Sequence, residues 1–245
     1  MSKITILELV SVCVIGYLLG SISFGVLVGN YCGVDPLKKG SKNPGATNVT
    51  RLMGPKAGKV VFALDFFKGF MAAGWPMIPA LNTGSPMSLA ILGLTAAVIG
   101  HSYSIFLHFQ GGKAVATAMG GLMVLMPWAA LIGFVVWYAA FRFSKYVSLS
   151  SILFAVSLPI SAFIFYRTSE QLLFVTSLAL FIIVRHHENI IRLIQGKENH
   201  KFNTDTILGS VKNNKNIDKL INLIKKKLSN KYSSNSIILI TRERH

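Results

Sequence analysis

A run of small and polar residues between two long apolar stretches carries the first indication of chemistry in this chain. Residues 40–51 read Gly-Ser-Lys-Asn-Pro-Gly-Ala-Thr-Asn-Val-Thr-Arg. Glycines let a backbone turn its N–H groups toward an oxyanion, and an arginine fork binds phosphate through two parallel hydrogen bonds. The run predicts a site for a phosphorylated molecule. The alternative is a polar connector in which Thr47 and Asn48 cap a helix. The residues that would form the binding shell are Ser41, Asn43, Gly45, Thr47, Asn48 and Arg51.

A second cluster, Gly111-Gly112-Lys113, leads into a predicted helix. The N–H groups and the positive dipole end at a helix N-terminus attract anions, so the cluster predicts anion binding. The P-loop spacing G-x-x-x-x-G-K-[ST] is absent, so ATP hydrolysis is not indicated. Paired glycines also suit close helix packing in a membrane, which leaves that alternative open.

Histidines and an asparagine lie at the ends of two apolar stretches. His101 ends one of them, where an ionisable side chain is costly and predicts function, although a satisfied neutral histidine is the alternative. His186 and Asn189 are three residues apart and would share one helix face. A metal site built from His101, His186 and His187 lacks a carboxylate or cysteine at ligand spacing, so we predict no metal.

Two charged residues lie inside the second apolar stretch. Asp65 and Lys68 are spaced i, i+3, and an unpaired charge at this position would be expensive. The spacing predicts an intrahelical ion pair. We expect a structural role for Asp65, whereas Lys68 is predicted to extend toward the anion site.

The composition is that of an integral membrane protein. The chain has 245 residues, is 52% hydrophobic and has a mean hydropathy of +0.53. Its net charge of +16 does not indicate a nucleic-acid partner, because 13 of the 25 Lys and Arg residues lie at or beyond Arg185 and most others lie in short loops. Cys13 and Cys32 have no metal or redox spacing and are predicted to be unpaired thiols.

We predict an all-α fold with about seven membrane spans, or five if the short pair over 114–144 does not cross twice. Basic residues concentrate in alternate loops, which predicts an N-terminus outside, a C-terminus in the cytoplasm and short cytoplasmic substrate-binding loops. The first span has one preceding lysine and no small-x-small cleavage site, so it is predicted to be retained. The predicted spans are 4–28, 57–80, 86–107, 114–127, 128–144, 147–166 and 171–187.

Four motifs follow one another in order along residues 4–198. They are Ser-Lys-Asn-Pro-Gly-Ala-Thr-Asn-Val-x-Arg from Ser41, Gly100-His101 followed by Gly111-Gly112-Lys113-x-Val-Ala-Thr, Val147-Ser148-Leu149, and Arg185-His186-x-x-Asn189-Ile190-x-Arg192-Leu193-x-x-Gly196-x-Glu198. One such motif would be weak, but the ordered set is specific. Together they resemble the bacterial acyl-phosphate:glycerol-3-phosphate acyltransferase family (PlsY type).

The resemblance implies an enzyme of phospholipid synthesis in the bacterial plasma (inner) membrane. It would transfer a fatty acyl group from acyl-phosphate to the 1-hydroxyl of sn-glycerol 3-phosphate, giving lysophosphatidate and phosphate, among membrane lipids and without a cofactor. By resemblance, Ser41, Arg51, His186 and Asn189 serve activity, and His101 joins them as a catalytic candidate. The remaining predicted binding residues are Asn43, Gly45, Asn48, Lys68, Gly111, Gly112, Lys113 and Ser148, and the predicted structural residues are Asp65 and Glu198.

The chain departs from the family pattern at a few positions. The family usually has Phe-Pro where this chain has Tyr103-Ser104, Lys where it has Gln110, and Gly where it has Ala114. Gln110 removes a positive charge beside the predicted phosphate cradle. Ala114 adds a methyl group where the family backbone is unhindered.

Residues 1–199 are predicted to form the membrane acyltransferase domain and residues 200–245 a basic cytoplasmic extension. In the extension, apolar residues at helical spacing among lysines predict an amphipathic helix on the anionic inner leaflet, and a solvated tail is the alternative. Two other functions compete with an enzyme. A transporter for a phosphorylated metabolite would need polar residues near the bilayer midplane, and a scaffold would leave the glycine loops unexplained.

Overall fold

The computed structural model describes residues 4–78, 85–166 and 168–199, and these residues form ten α-helices. The predicted extension at 200–245 lies outside the described residues. In chain order the helices are α1 (Ile6–Ser21), α2 (Phe24–Tyr31), α3 (Ala46–Met53), α4 (Pro55–Gly74), α5 (Pro86–Ser102), α6 (Val115–Leu125), α7 (Pro127–Ser144), α8 (Val147–Phe165), α9 (Ser169–Arg185) and α10 (His187–Ile194).

Seven apolar segments account for most of these helices. Four are long and apolar enough to cross a bilayer, namely Ile6–Tyr31, Pro55–Met77, Pro127–Ser144 and Val147–Phe165. A fifth is α9 with α10, which meet at a bend of 58°, and the shorter apolar helices α5 and α6 complete the set. Each segment coincides with one predicted span. The prediction of an all-α protein with about seven membrane helices is therefore confirmed.

The first span is broken between α1 and α2, which hydropathy alone did not predict. Helix ends leave backbone carbonyls without intrahelical partners, and these are costly away from water. Distant side chains satisfy three consecutive carbonyls at this break. Lys68 Nζ donates to the carbonyls of Gly20 and Ile22 at 2.9 and 2.8 Å, and Ser104 Oγ donates to the carbonyl of Ser21 at 2.6 Å.

The α-helix does not extend through the whole span predicted at 86–107, because α5 stops at Ser102. Two features end the helix. Ser104 turns its hydroxyl to the broken first span, and its backbone N–H donates to the carbonyl of Gln110 at 3.3 Å, which closes a tight loop. After the loop, α6 begins at Val115, directly after Ala114 in the left-handed region at φ 56°.

The backbones of α4 and α6 approach each other closely. A Cβ atom added at Gly69 would lie 1.9 Å from the carbonyl oxygen of Thr117, and one at Gly120 would lie 1.8 Å from that of Phe66. Only glycine permits this approach, as is common at helix crossings in membranes. The contact matters for the site because it fixes α6, and with it the loop that carries Lys113, against α4.

The apolar core lies mainly between α5, α6, α7, α8 and α9. Its members are buried aliphatic and aromatic side chains that pack across these helices. The largest fully buried ones are Leu94, Leu122, Met126, Phe154, Leu158 and Ile182. This core holds the helices whose ends on one side carry the polar residues described below.

We predict that Gly120→Ala lowers the free energy of unfolding by about 1–3 kcal/mol, because the new methyl group would overlap the carbonyl of Phe66. Gly74→Ala is the matched control on α4, since its Cβ would meet nothing closer than Val124 at 3.9 Å. Thermal or denaturant unfolding of the purified protein in detergent measures both variants. Equal stability of the two variants would contradict the assigned contact.

Candidate active site

A cavity of about 430 Å³ lies where the ends of α3, α5, α6, α8, α9 and α10 meet. All three polar clusters found in the sequence contribute to its wall, together with Glu198 and Asn199, which follow α10. The predicted site residues that line it are Ser41, Asn43, Gly45, Thr47, Asn48, Arg51, Asp65, His101, Gly111, Lys113, Ser148, His186, Asn189 and Glu198. Residues far apart in the sequence are thus brought to one cavity.

The loop before α3 is held in place by Asn48. The Asn48 side chain is 2% exposed and accepts a hydrogen bond from the backbone N–H of Ser41 at 2.9 Å. It also donates to the carbonyls of Pro36 and Lys39 at 3.0 and 3.1 Å. The alternative role as a helix cap does not apply, because the N-cap of α3 is Gly45 and no side chain caps it. Asn48 therefore shapes the loop that brings Ser41 to the cavity.

The loop Gly111-Gly112-Lys113 is fixed by groups that bind its peptide units. The Gly112 N–H donates to the carbonyl of His101 at 3.0 Å. Arg185 donates from one guanidinium nitrogen to the carbonyls of Gly112, at 2.9 Å, and Gly111, at 3.4 Å. The same guanidinium carbon lies 5.0 Å from the ring centre of Tyr103, a cation–π contact. Arg185 thereby holds these two carbonyl groups.

The backbone N–H groups at the end of this loop, those of Lys113 and Ala114, remain available to a ligand. Within the described part of the chain, no protein acceptor binds the backbone N–H of Lys113 or Ala114. Ala114 has φ 56° and ψ 15°, the left-handed conformation that occurs in anion-binding nests of backbone N–H groups. The left-handed conformation also explains why glycine is the usual family residue at this position, since an alanine there is strained.

Glu198 joins the third cluster to α8. Its Oε1 accepts hydrogen bonds from Ser148 Oγ at 3.0 Å and from Asn189 Nδ2 at 2.8 Å. Its Oε2 accepts from Arg192 Nε at 2.9 Å. With its amide nitrogen bound to Glu198, Asn189 presents Oδ1 to the Lys113 ammonium, which donates to it. Glu198 thus orients the Asn189 amide and Arg192 directly, and it orients Lys113 through Asn189.

His186 is buried and held in one tautomer. Its Nδ1 lies 2.7 Å from the carbonyl oxygen of Ile182, which can only accept, so Nδ1 carries the proton. In the neutral ring Nε2 is then an acceptor, and His186 lines the cavity. His101 is more enclosed: its Nδ1 lies 3.3 Å from Thr117 Oγ1, and its Nε2 packs against Gly112.

Two predicted binding residues do not line the cavity. Lys68 forms the predicted ion pair with Asp65 at 2.9 Å, but its other donors bind the broken first span, so it does not extend to the anion site. Gly112 packs against the ring of His101, where a Cβ would lie 2.2 Å from Nε2. Both residues contact side chains of the cavity wall, Asp65 and His101, without lining the cavity themselves. Within the described residues, no group of three or more His, Cys, Asp or Glu side chains could hold a metal ion.

Burial and repulsion between neighbouring cations disfavour the charged forms of Arg51 and Lys113 at the cavity. Burial lowers the pKa of Arg51, which Glu198 partly offsets and Arg192 reinforces. The pKa of Lys113 is lowered to about 8, chiefly by burial and then by Arg192, although Glu198 and Glu188 act in the opposite direction. An anion that entered the cavity would relieve these charges. The cavity is thus an electrostatic site for a negatively charged group.

An apolar annex of about 220 Å³ continues from the cavity between α4 and α7. Phe62, Trp137 and Val147 line both spaces, as do Ala46, Thr47 and Arg51 of α3. Thr50, Gly58 and Lys59 line the annex alone. The Trp137 indole N–H donates to Ser151 Oγ at 3.3 Å, so the ring is held in place. The site therefore has a cationic part and an adjoining apolar part.

Several residues of this site carry no predicted role from their sequence pattern. Arg185 and Arg192 belong to the third motif, and Arg192 lies at helical spacing from Asn189, which could have indicated a shared face. Trp137 and Ser151 lie inside apolar spans, where no sequence signal distinguishes them from core residues. Their positions beside the cavity depend on the packing of α7 against α8.

We predict that Glu198→Gln lowers the free energy of unfolding by about 3 kcal/mol, because Glu198 is 7% exposed and its loss leaves Arg192 without its buried partner. Glu188→Gln is the matched control. Glu188 pairs with the same arginine at 3.5 Å but is 67% exposed, so we expect a change below about 1 kcal/mol. Thermal unfolding in detergent measures both. A loss in the control as large as that of Glu198→Gln would contradict the assigned role.

Comparisons with known proteins agree with one another. The family model described as glycerol-3-phosphate acyltransferase matches residues 10–196. The chain is 43% identical to the glycerol-3-phosphate acyltransferase of Aquifex aeolicus over 190 residues, covering 77% of this chain and 96% of that protein. It is 44% identical to that of a Hydrogenobaculum species, covering 77% and 94%.

Two solved structures share this fold. Crystal structures of PlsY (YgiH), an integral membrane glycerol 3-phosphate acyltransferase, match in the glycerol 3-phosphate form with a TM-score of 0.74 and 39% identity, and in the lysophosphatidic acid form with 0.72 and 37%. Each match covers 82% of this chain and 98% of the other. The chain is therefore a multi-pass membrane protein, and it belongs to the glycerol-3-phosphate acyltransferase family.

Proposed function

We propose that this protein transfers a fatty acyl group from an acyl-phosphate to the 1-hydroxyl of sn-glycerol 3-phosphate. The products are lysophosphatidate, which remains among the membrane lipids, and inorganic phosphate. Family membership supports acyl transfer to glycerol 3-phosphate. The acyl-phosphate donor rests on the resemblance to the PlsY type, and the roles of individual residues rest on the geometry of the cavity.

The observation that carries the proposal is the junction of a cationic cavity with an apolar annex. Both substrates have a phosphate group, and the donor also has a long alkyl chain. Arg51 and Lys113 supply charge in the cavity, and Phe62 and Trp137 begin the annex beside it. An amphipathic donor fits across this junction, with its phosphate among the cations and its alkyl chain between α4 and α7.

The acceptor phosphate would be bound by charge and by hydrogen bonds together. Arg51 and Lys113 offset its two negative charges, and the free N–H groups of Lys113 and Ala114 add donors. Ser41 lies at the cavity on the loop that Asn48 holds. Binding would raise the pKa of Lys113, since the ammonium would gain a partner of opposite charge.

In the chemical step, the 1-hydroxyl oxygen attacks the carbonyl carbon of the acyl-phosphate. A carbon–oxygen bond forms, the bond from that carbon to the phosphate oxygen breaks, and phosphate leaves with the electron pair. The hydroxyl proton passes to His186 Nε2, the free acceptor of the ring, and then to the leaving phosphate. Positioning and electrostatic stabilisation supply the acceleration, so no covalent acyl-enzyme is needed.

We propose that the cavity opens to the cytoplasm from the bacterial plasma (inner) membrane, with the N-terminus outside. The basic residues of the described loops and helix ends lie on the side of the cavity, as the positive-inside rule requires. They include Lys38, Lys39, Lys42, Lys56, Lys59, Arg142 and Lys145. The same one-sided arrangement disfavours the transporter alternative, which needs polar residues near the midplane.

The reaction can be tested with purified protein in detergent, glycerol 3-phosphate and one donor at a time: acyl-phosphate, acyl-CoA or acyl-carrier protein. We expect lysophosphatidate and an equal amount of phosphate with acyl-phosphate alone. Arg51→Ala should raise the KM for glycerol 3-phosphate at least about tenfold, because it removes a charged hydrogen bond worth about 1.5–3 kcal/mol. Arg142→Ala, on an exposed residue away from the cavity, is the matched control. Activity with acyl-CoA alone would overturn the proposed donor.

The pKa of Lys113 predicts a pH dependence of glycerol 3-phosphate binding. Below its pKa of about 8 the free enzyme carries the ammonium, and above it the charge is lost. The KM should therefore rise as pH increases beyond about 8, by up to about tenfold per unit, while the substrate stays a dianion.

Lys113→Arg is the control for this pH dependence, since a guanidinium keeps its charge over the whole range. We expect its KM to stay level from about pH 7 to about pH 9.5. A level KM in the unmodified protein over that range would contradict the role of Lys113.

A further inference from the structure

The loop between α5 and α6 exposes large apolar side chains beside the cavity. Ile105 is 50% exposed, Phe106 62% and Phe109 63%. All three lie in residues 105–109, which form a short turn rather than a continuation of α5. Such a cluster at the tip of an aqueous loop would be unfavourable, so its surroundings require an explanation.

The first span provides one measure of the depth of this loop. Ser104 contacts the break in that span, where its hydroxyl binds the carbonyl of Ser21. Beyond the break, α2 continues for eight residues, or about 12 Å, toward the cavity side. The loop therefore begins nearer the bilayer centre than the end of the first span, which extends farther toward the cavity side.

The contact between α4 and α6 gives a second measure. The two helices run in the same direction, because the contact of Gly69 with Thr117 is followed by that of Gly74 with Val124. Measured from these contacts, α4 starts roughly 15 Å farther toward the cavity side than α6 does. The loop that leads into α6 is therefore closer to the bilayer centre than the start of α4. The exposed lysines at that start, Lys56 and Lys59, lie farther toward the cavity side.

The length of α5 agrees with this depth. Its 17 residues extend about 25 Å, which is less than the roughly 30 Å of a hydrocarbon core. An apolar turn at its end would supply the missing lipid-facing surface. Tyr103 connects the turn to the outer face of α9 through an edge contact with Phe181 at 6.5 Å between ring centres.

The backbone of the loop is suited to such a place. Ser104 O accepts the N–H groups of Leu107, at 3.1 Å, and Phe109, at 2.8 Å. Leu107 O accepts the N–H of Gln110 at 3.0 Å, and Gln110 O accepts that of Ser104 at 3.3 Å. Irregular backbone is tolerated at membrane depth only when its polar groups are satisfied or face a cavity. This turn satisfies many of its own and continues into the cavity wall at Gly111.

We infer that residues 105–109 form a lipid wedge immersed in the acyl-chain region of the leaflet on the cavity side. Ile105, Phe106 and Phe109 contact lipid chains, and His108 at the tip extends toward the headgroups. The wedge is joined to Gly111 by a single residue. It therefore fixes the depth of the glycine loop, which lies beneath the headgroup plane rather than in bulk water.

The test uses nitroxide labels on single cysteines in vesicles of bacterial phospholipid. The chain has two cysteines, so Cys13→Ser and Cys32→Ser give a cysteine-free background. Phe106→Cys and Phe109→Cys are labelled separately, and each label reports its exposure to oxygen, which concentrates in lipid, and to a water-soluble nickel complex. Lys56→Cys is the aqueous control, and Val156→Cys, exposed in the middle of α8, is the lipid control.

We expect both wedge labels to favour oxygen over the nickel complex severalfold, as at position 156, and the reverse at position 56. Labels at 106 and 109 that the nickel complex reaches as readily as at 56 would overturn the proposal. Protection from both reagents would overturn it as well, because a second copy or residues 200–245 would then cover the turn. Each position is an independent measurement if the other variant fails to fold, and none depends on enzymatic activity.

Discussion

The cavity depends on an excess of positive charge that the protein only partly neutralises. Lys113 and Arg51 are half-buried near Arg192, and Glu198 offsets part of the charge of both. In a medium of low dielectric constant such an arrangement is costly, as the lowered pKa of Lys113 indicates. A phosphate group removes that cost on binding. The same repulsion that weakens the empty protein therefore becomes affinity for a doubly charged headgroup.

Charges can be held in this way because side-chain hydrogen bonds fix the segments around them. Asn48 binds three backbone groups of the first loop, and Arg185 binds two carbonyls of the glycine loop. In the third segment, Glu198 accepts hydrogen bonds from the side chains of Asn189 and Ser148. Each segment is irregular where it meets the cavity, so its peptide groups need partners that a helix would otherwise supply. Hydrogen bonds between these segments thus hold the glycine-rich and polar loops in one defined binding surface.

Breaks and short helices set the depth at which this surface lies. The first span is interrupted, and the freed carbonyls are bound by Lys68 and Ser104 from other helices. The 11 residues of α6 extend only about 16 Å, which is half a hydrocarbon core. A site at this depth can receive a soluble phosphate from one side and an alkyl chain from the bilayer. The depth and the charge of the site together suit the two proposed substrates, a soluble phosphate ester and a phosphate that carries an alkyl chain.

The sequence by itself determined the seven apolar segments, the Asp65–Lys68 pair and the ordered motifs, because hydropathy and helical spacing are local properties. It also placed the polar clusters at one end of the spans. Only the tertiary structure decided that Lys68 binds the broken first span, that α5 stops at Ser102, and that Arg185 holds the glycine loop. Those outcomes depend on partners 46 to 83 residues away in the chain, and which carbonyl a buried donor reaches is settled only when the helices pack.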